Sequence, residues 1–208
     1  MARLEDRYVR IIKEGRFSLK ERRSEFIATA VPADTVEEAK EAIESISKKY
    51  SDARHNCWAY RVGFPKTTEH CSDDGEPSGS AGRPILGAVV KADLYDLAIV
   101  VTRYFGGVKL GVRGLIDAYS ASAQGVLETC PREERTVTEP LGFTVGYEGY
   151  GDCLHHLTAL GIPEENVAPS FGEKVSVKVE IPISLLGRAE ETMEDLRLRG
   201  IIEGWESL

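Results

Sequence analysis

An uncharged run, Leu97-Ala98-Ile99-Val100-Val101-Thr102, opens directly into Arg103-Tyr104-Phe105-Gly106-Gly107-Val108-Lys109-Leu110-Gly111, and this junction most limits the folds open to the chain. The run is short and rich in β-branched residues, which predicts a buried strand stopped by the glycine pair. After it, Val112, Ile116, Tyr119, Ala123 and Val126 recur at helical spacing, and Leu115 and Leu127 widen the stripe. Before it, Pro84 to Ala92 reads as an amphipathic helix. Glycines at a strand-to-helix junction let backbone approach a ligand, and free amides at a helix start attract anions. With Arg83, Arg103, Lys109 and Arg113 around the Gly106-Gly107 turn, the junction is a candidate anion or nucleic-acid site. The plainer alternative is a packing turn with solvated cations. The loop has neither P-loop nor dinucleotide spacing, so it implies no cofactor.

The chain has 208 residues, enough for one large domain or two small ones. Charge divides it: residues 1–135 hold 21 Lys+Arg and 21 Asp+Glu, whereas 136–208 hold 5 and 13. Two domains, 1–135 and 136–208, are expected, the first neutral enough for a local basic patch and the second repelling polyanions. The four cysteines form no CxxC pair, the start lacks an apolar leader, and no run approaches a membrane span. Reduced thiols, a cytoplasmic location and no membrane contact are the expectation.

In the first domain, Tyr8 to Ile12 and Glu25 to Val31 read as an antiparallel strand pair joined by a basic turn, Lys13 to Ser24. Asp34 with Glu37 makes a capping box for a helix whose buried stripe is Val36, Ala39, Ile43, Ile46 and Tyr50. His55-Asn56-Cys57-Trp58-Ala59-Tyr60-Arg61-Val62 suits a strand. On the expected alternation, Trp58, Tyr60 and Val62 face the core, and His55 and Arg61 face a polar surface or cleft.

Gly63 to Gly82 is dense in turn residues and predicts irregular structure. Within it Asp73, Asp74 and Glu76 cluster, as turn and cap groups or, alternatively, as a hard-cation or acid/base site. No further carboxylate at fixed spacing supports the cation. His55, Cys57, His70 and Cys71 lack a standard zinc spacing, so no metal is expected. A Cys57 nucleophile would need a base on its own side.

Pro131 to Thr138 reads as a linker. Beyond it come strand Leu141 to Tyr147, helix Asp152 to Leu160, a hairpin of Val167 to Phe171 and Lys174 to Ile181, helix Ser184 to Leu198, and a strand around Ile201 to Trp205. This βαββαβ order predicts an antiparallel sheet with both helices on one face, a ferredoxin-like arrangement, and an α+β class overall. His155 and His156 read as helix-surface residues rather than ligands.

Three stretches in order, His55-Asn56-Cys57-Trp58-Ala59-Tyr60, Asp73-Asp74-Gly75-Glu76-Pro77-Ser78-Gly79-Ser80-Ala81-Gly82 and Arg103 to Gly111, resemble the IMPACT/YigZ family in its bacterial two-domain form. The resemblance implies a first domain with the ribosomal protein S5 domain 2-type fold and a second similar to a terminal domain of elongation factor G. It also implies a role in translation control, with RNA or ribosome-associated partners, since eukaryotic members regulate a translational stress pathway. Three positions depart from the pattern: Asn56 stands where a second histidine is common, Arg113 where glycine is common, and Asp117 where a basic residue is common.

Three functional classes are therefore open to this sequence. A non-enzymatic translation-associated binding protein would use Arg83, Arg103, Lys109 and Arg113. An enzyme acting on a small phosphorylated or anionic substrate would use His55, Asp73 and Glu76 as acid/base groups and Arg103 with the glycine turn as anion holder. A protein–protein adaptor would use the motifs for architecture, with Trp58, Tyr60, Tyr104 and Phe105 in the core. The residues alone do not set the oligomeric state.

Overall fold

The computed structural model describes residues 6–208, and the chain is mixed α and β. It divides into two compact units, Tyr8–Arg135, and Thr136–Leu208 together with Asp6 and Arg7. Asp6 belongs with the second through its carbonyl, which accepts from the Val137 amide at 2.7 Å, and its carboxylate, which bonds the Ser184 hydroxyl.

The first unit opens with β1 (Arg7–Ile11), which enters it at Tyr8, followed by β2 (Gly15–Glu21) and β3 (Ser24–Pro32). The expected basic turn is therefore mostly a strand. Phe17 and Leu19 of β2 pack against the core while its exposed residues are polar, the pattern of an edge strand with one buried face. Only Arg22 and Arg23 turn, both at positive φ (45° and 70°), as a two-residue hairpin connection requires. The expected pairing is corrected too: β3 pairs with β2.

Helix α1 (Val36–Lys49) follows. Its cap is Thr35 rather than Asp34: the Thr35 hydroxyl accepts from the Glu38 amide, and the Glu38 carboxylate returns to the Asp34 amide. Ala39 and Ile43 are its buried residues.

Then come β4 (His55–Val62) and β5 (Thr68–Ser72), the second a strand inside the stretch expected to be irregular. Next are α2 (Gly82–Lys91), β6 (Leu94–Tyr95), β7 (Leu97–Tyr104), α3 (Gly111–Thr129) and β8 (Arg132–Thr136). Strand β1 runs parallel to β6 and lies between it and β8, so the stretch expected as a linker is a strand. The main sheet has the order β2-β3-β7-β4-β5 and every neighbouring pair is antiparallel.

Helices α2 and α3 cover one face of this sheet and α1 covers the other. The expectation that one face of β4 is core and the other polar is thus corrected. Cys57 and Ala59 sit in the main core with Ile99, Val101, Tyr119 and Ile85, and Tyr60 and Val62 sit in a smaller core under α1. Arg61 is buried, its guanidinium 3.7 Å from the centre of the Tyr95 ring. In α3 the buried stripe is Leu115, Ala118, Tyr119, Ser122, Ala123, Val126 and Leu127, while Val112 is exposed.

The second unit contains β9 (Thr138–Val145), α4 (Tyr150–Ala159), β10 (Val167–Phe171), β11 (Val175–Pro182), α5 (Leu186–Leu198) and β12 (Ile202–Ser207). The order of types is the expected βαββαβ, and the sheet runs β10-β11-β9-β12, antiparallel throughout. Leu141, Phe143 and Val145 alternate toward a core shared with Val175, Val177, Val179, Cys153, Leu157, Met193 and Leu196. Among the described residues no helix is long and apolar enough to cross a membrane.

Candidate functional site

The loop between β5 and α2 is built on Asp73. Its carboxylate accepts from the amides of Gly79 (2.8 Å), Ala81 (2.9 Å) and Gly82 (2.9 Å), and its carbonyl accepts from the Glu76 amide. Burial works to raise the Asp73 pKa, but these amides and the charge of Arg83 outweigh it and hold the carboxyl below its ordinary range. Asp74 (φ 40°) and Gly75 (φ 82°) make the turn, and the Asp74 carboxylate accepts from the Asn56 amide at 2.6 Å.

A group whose pKa falls on folding stabilises fully above its unfolded value, about 3.9 for Asp. That stabilisation is lost as pH falls through the folded value. Urea midpoints at pH 7 and pH 3 should therefore differ less in Asp73→Asn than in the wild type; equal differences would show that the carboxylate charge does not hold this loop.

The loop delivers Glu76 into the interior. Glu76 Oε1 lies 2.6 Å from Arg103 Nη1 on β7 and accepts from the Tyr119 hydroxyl of α3 at 3.0 Å. The side chains of the pair are 7% (Arg103) and 4% (Glu76) exposed. Arg103 also reaches the Ser24 hydroxyl at 3.4 Å, and its Nε has no partner among the described residues. The Cys57 thiol donates to the Asp73 carbonyl at 2.9 Å and lies 3.3 Å from the Tyr119 hydroxyl. Burial above all pushes its pKa up to about 12, so it is held as a thiol and is no nucleophile at neutral pH.

Beside this network opens a cleft of about 410 Å³ lined by Arg54, His55, Glu76, Pro77, Arg103, Phe105, Lys109, Leu110, Gly111, Val112 and Leu115. It brings together His55, Glu76, Pro77, Arg103 and Lys109 from the residues singled out in the sequence. Arg83 and Arg113 lie outside its lining, and Arg113 pairs at 3.2 Å with Asp117, one helical turn on. Phe105, expected in the core, is 45% exposed at the cleft; Tyr104 donates its hydroxyl to Asp52. Arg54 was missed because an isolated cation before a strand carries no sequence signal.

His55 Nδ1 stands 2.7 Å from the Asp74 carbonyl, which can only accept, so Nδ1 carries the hydrogen. In the neutral ring Nε2 is then the acceptor. Asn56 is turned away, accepting from the Thr102 hydroxyl at 2.6 Å and donating to the Tyr50 carbonyl at 3.2 Å. Trp58 stacks with Tyr60 and His70. Cys57 and Cys71 pack toward the main core, so the residues of the zinc reading are divided between the two faces of the sheet. No group of three or more His, Cys, Asp or Glu among the described residues is placed to hold a metal.

The backbone of the glycine turn has two different causes. A Cβ on Gly106 would lie 1.8 Å from the Arg23 carbonyl oxygen, so close approach fixes glycine there. Gly107 has φ 85° with open space around it, so backbone conformation fixes glycine there.

Residues 22–127, the segment that builds the whole of this cleft, match the Impact N-terminal domain. The chain belongs to the IMPACT family. Among IMPACT family relatives, YvyE of Bacillus subtilis is 38% identical over 150 residues, 72% of this chain and 69% of its own. A member from Thermus thermophilus is 43% identical, covering 76% of this chain and 84% of its own. YigZ of Escherichia coli is 37% identical over a stretch spanning 55% of this chain and 57% of its own. A crystal structure described as a hypothetical protein superimposes with a TM-score of 0.68 at 25% identity, covering 99% of this chain and 98% of that one.

Proposed function

We propose that this IMPACT family chain is a non-enzymatic, translation-associated regulatory protein that engages nucleic acid or a ribosome-associated partner at the Arg54, His55 and Lys109 cleft. The strand order of the second unit supports a ferredoxin-like reading of it, and family membership supports the S5 domain 2-like reading of the first. Both kinds of domain are familiar from the translation apparatus.

One observation carries the choice between binding and catalysis. The carboxylates needed for acid/base work are already engaged, Asp73 by backbone amides and Glu76 by Arg103, whereas Arg54 and Lys109 make no hydrogen bond or ion pair among the described residues. Free cations at a cleft rim suit phosphate contact, and such binding weakens with salt. Arg103, being inside, is a poor reporter of that contact.

The test is RNA binding by fluorescence anisotropy and ribosome cosedimentation over a salt series, with Arg54→Ala/Lys109→Ala beside the wild type. Loss of two phosphate contacts on a single strand should lower the salt slope by about 1.4. An unchanged slope in a folded variant would remove the cleft from the proposal. The second reading, an enzyme on a small anionic substrate, draws on His55, whose tautomer leaves Nε2 as a base. Turnover of a phosphate compound that disappears in His55→Ala would establish it.

A further inference from the structure

We infer that the cleft accepts one unstacked nucleotide of a single strand, the base against Phe105, Val112 and Pro77 and the phosphate at Arg54 and Lys109. This rests on the nucleic-acid form of the proposed function and specifies its ligand. The cleft has two chemically different parts. Leu110 and Leu115 extend the apolar wall, while the cations lie among the same lining residues. A ligand that satisfies both needs an apolar body with an anion attached.

Phe105 narrows the class. One side of its ring is occupied by the Arg103 guanidinium, 5.4 Å from the ring centre, and 45% of the residue remains exposed. Val112, in the same lining, is 56% exposed. An exposed aromatic backed by a fixed cation is a stacking surface for a planar ring, which a phosphorylated sugar does not offer. At about 410 Å³ the cleft is at the small end for ligand sites, with room for a single nucleotide. A base in a duplex is paired and stacked and would have to leave the helix to enter; a single strand presents it already free.

The surrounding electrostatics agree. Glu76, the carboxylate in the lining, is occupied by Arg103 and Tyr119, and Asp74, whose carbonyl holds His55, has its carboxylate on the Asn56 amide. Helix α3 starts at the cleft wall with no side-chain cap and no acidic residue in its first turn.

The experiment measures the affinity of the full chain for an unstructured RNA 12-mer, the DNA strand of the same sequence, the corresponding RNA duplex, and AMP, all at one salt concentration. The single strands should bind more tightly than the duplex or AMP. Phe105→Ala and, independently, Val112→Ser should weaken single-strand binding, the former by about 5- to 150-fold, and leave duplex binding unchanged. Thermal melts establish that each variant is folded. Equal affinity for strand and duplex, or unaltered affinity in both variants, would overturn the inference and leave the nucleic-acid reading standing, whereas AMP binding as tightly as the strand would overturn both in favour of a small anionic ligand. No binding of any RNA or DNA by the wild type would overturn that reading and the inference with it.

Discussion

Arg103→Ala should lower the unfolding free energy by about 3–5 kcal/mol, because it strands a buried carboxylate. Among the described residues Glu76 would keep only the Tyr119 hydroxyl as a side-chain partner, and its side chain is 4% exposed. Burying an ionised group without a counter-charge costs more than the pair contributes when intact. The double variant Glu76→Gln/Arg103→Met should accordingly lie closer to the wild type than Arg103→Ala does. Urea titrations decide this: a fall in midpoint with an unchanged slope is expected. If Arg103→Ala stayed within about 1 kcal/mol of the wild type, the pair would not be structural in the sense of a buried ion pair. Arg103 would then return to the list of ligand contacts. A charge-removal series that includes Arg103 therefore tests folding as well as binding, which is why Arg54 and Lys109 are the informative positions.

Gly106→Ala should be the other severe substitution, costing roughly 3 kcal/mol or more by overpacking. The added methyl would meet the Arg23 carbonyl oxygen at 1.8 Å and its carbon at 2.1 Å, both main-chain atoms of the β2–β3 turn. Neither can rotate away, so the turn or the cleft loop must shift. Gly107→Ala provides the control, since its Cβ would meet nothing within 4 Å among the described residues and it carries only the penalty of φ 85°. That penalty is about 1–2 kcal/mol. Thermal melts should place Gly106→Ala well below Gly107→Ala; the reverse order would mean that backbone conformation, rather than the contact with Arg23, governs the turn.

The sequence was most legible where one pattern was long and one-sided. Strand β7 and helix α3 announce themselves by a continuous apolar run and a sustained helical period, and the second unit repeats short, separately patterned elements. Strand β2 was missed because its outward residues, Arg16, Ser18 and Lys20, are those of a turn, and only Phe17 and Leu19 reveal the buried face. Strand β8 has no apolar residue in its Arg132–Thr136 span and is exposed throughout, so pairing alone makes it a strand. Strand β4 misled in the opposite way: covered on both faces, it gives alternation no polar side to mark.

At the site, the residue types were legible but their partners were not. Glu76 and Arg103 were both candidates, one as an acid/base group and the other as an anion holder; their ion pair depends on the β5–α2 loop carrying Glu76 back to β7. Tyr119 looked like any residue of a helical stripe until its hydroxyl was seen to meet Glu76. Asp73 reads as a possible ligand in sequence because carboxylates that bind metals and carboxylates that accept from backbone amides have the same spacing in a glycine-rich loop.

Strand β7 is also the last piece of the main sheet to leave the ribosome and the one that holds its middle together. Its pairings run from Leu97 opposite Pro32 to Tyr104 opposite Glu25 on one side, and from Leu97 opposite Arg61 to Arg103 opposite His55 on the other. Until it is made, β3 and β4 have no hydrogen-bonded partner between them, and each offers an apolar strand edge that a second nascent chain could join. Because the contacts that close the sheet are distant in sequence, closure is slow relative to helix formation. The vulnerable interval in the life of this chain thus falls during its own synthesis, between the emergence of β4 and that of Tyr104.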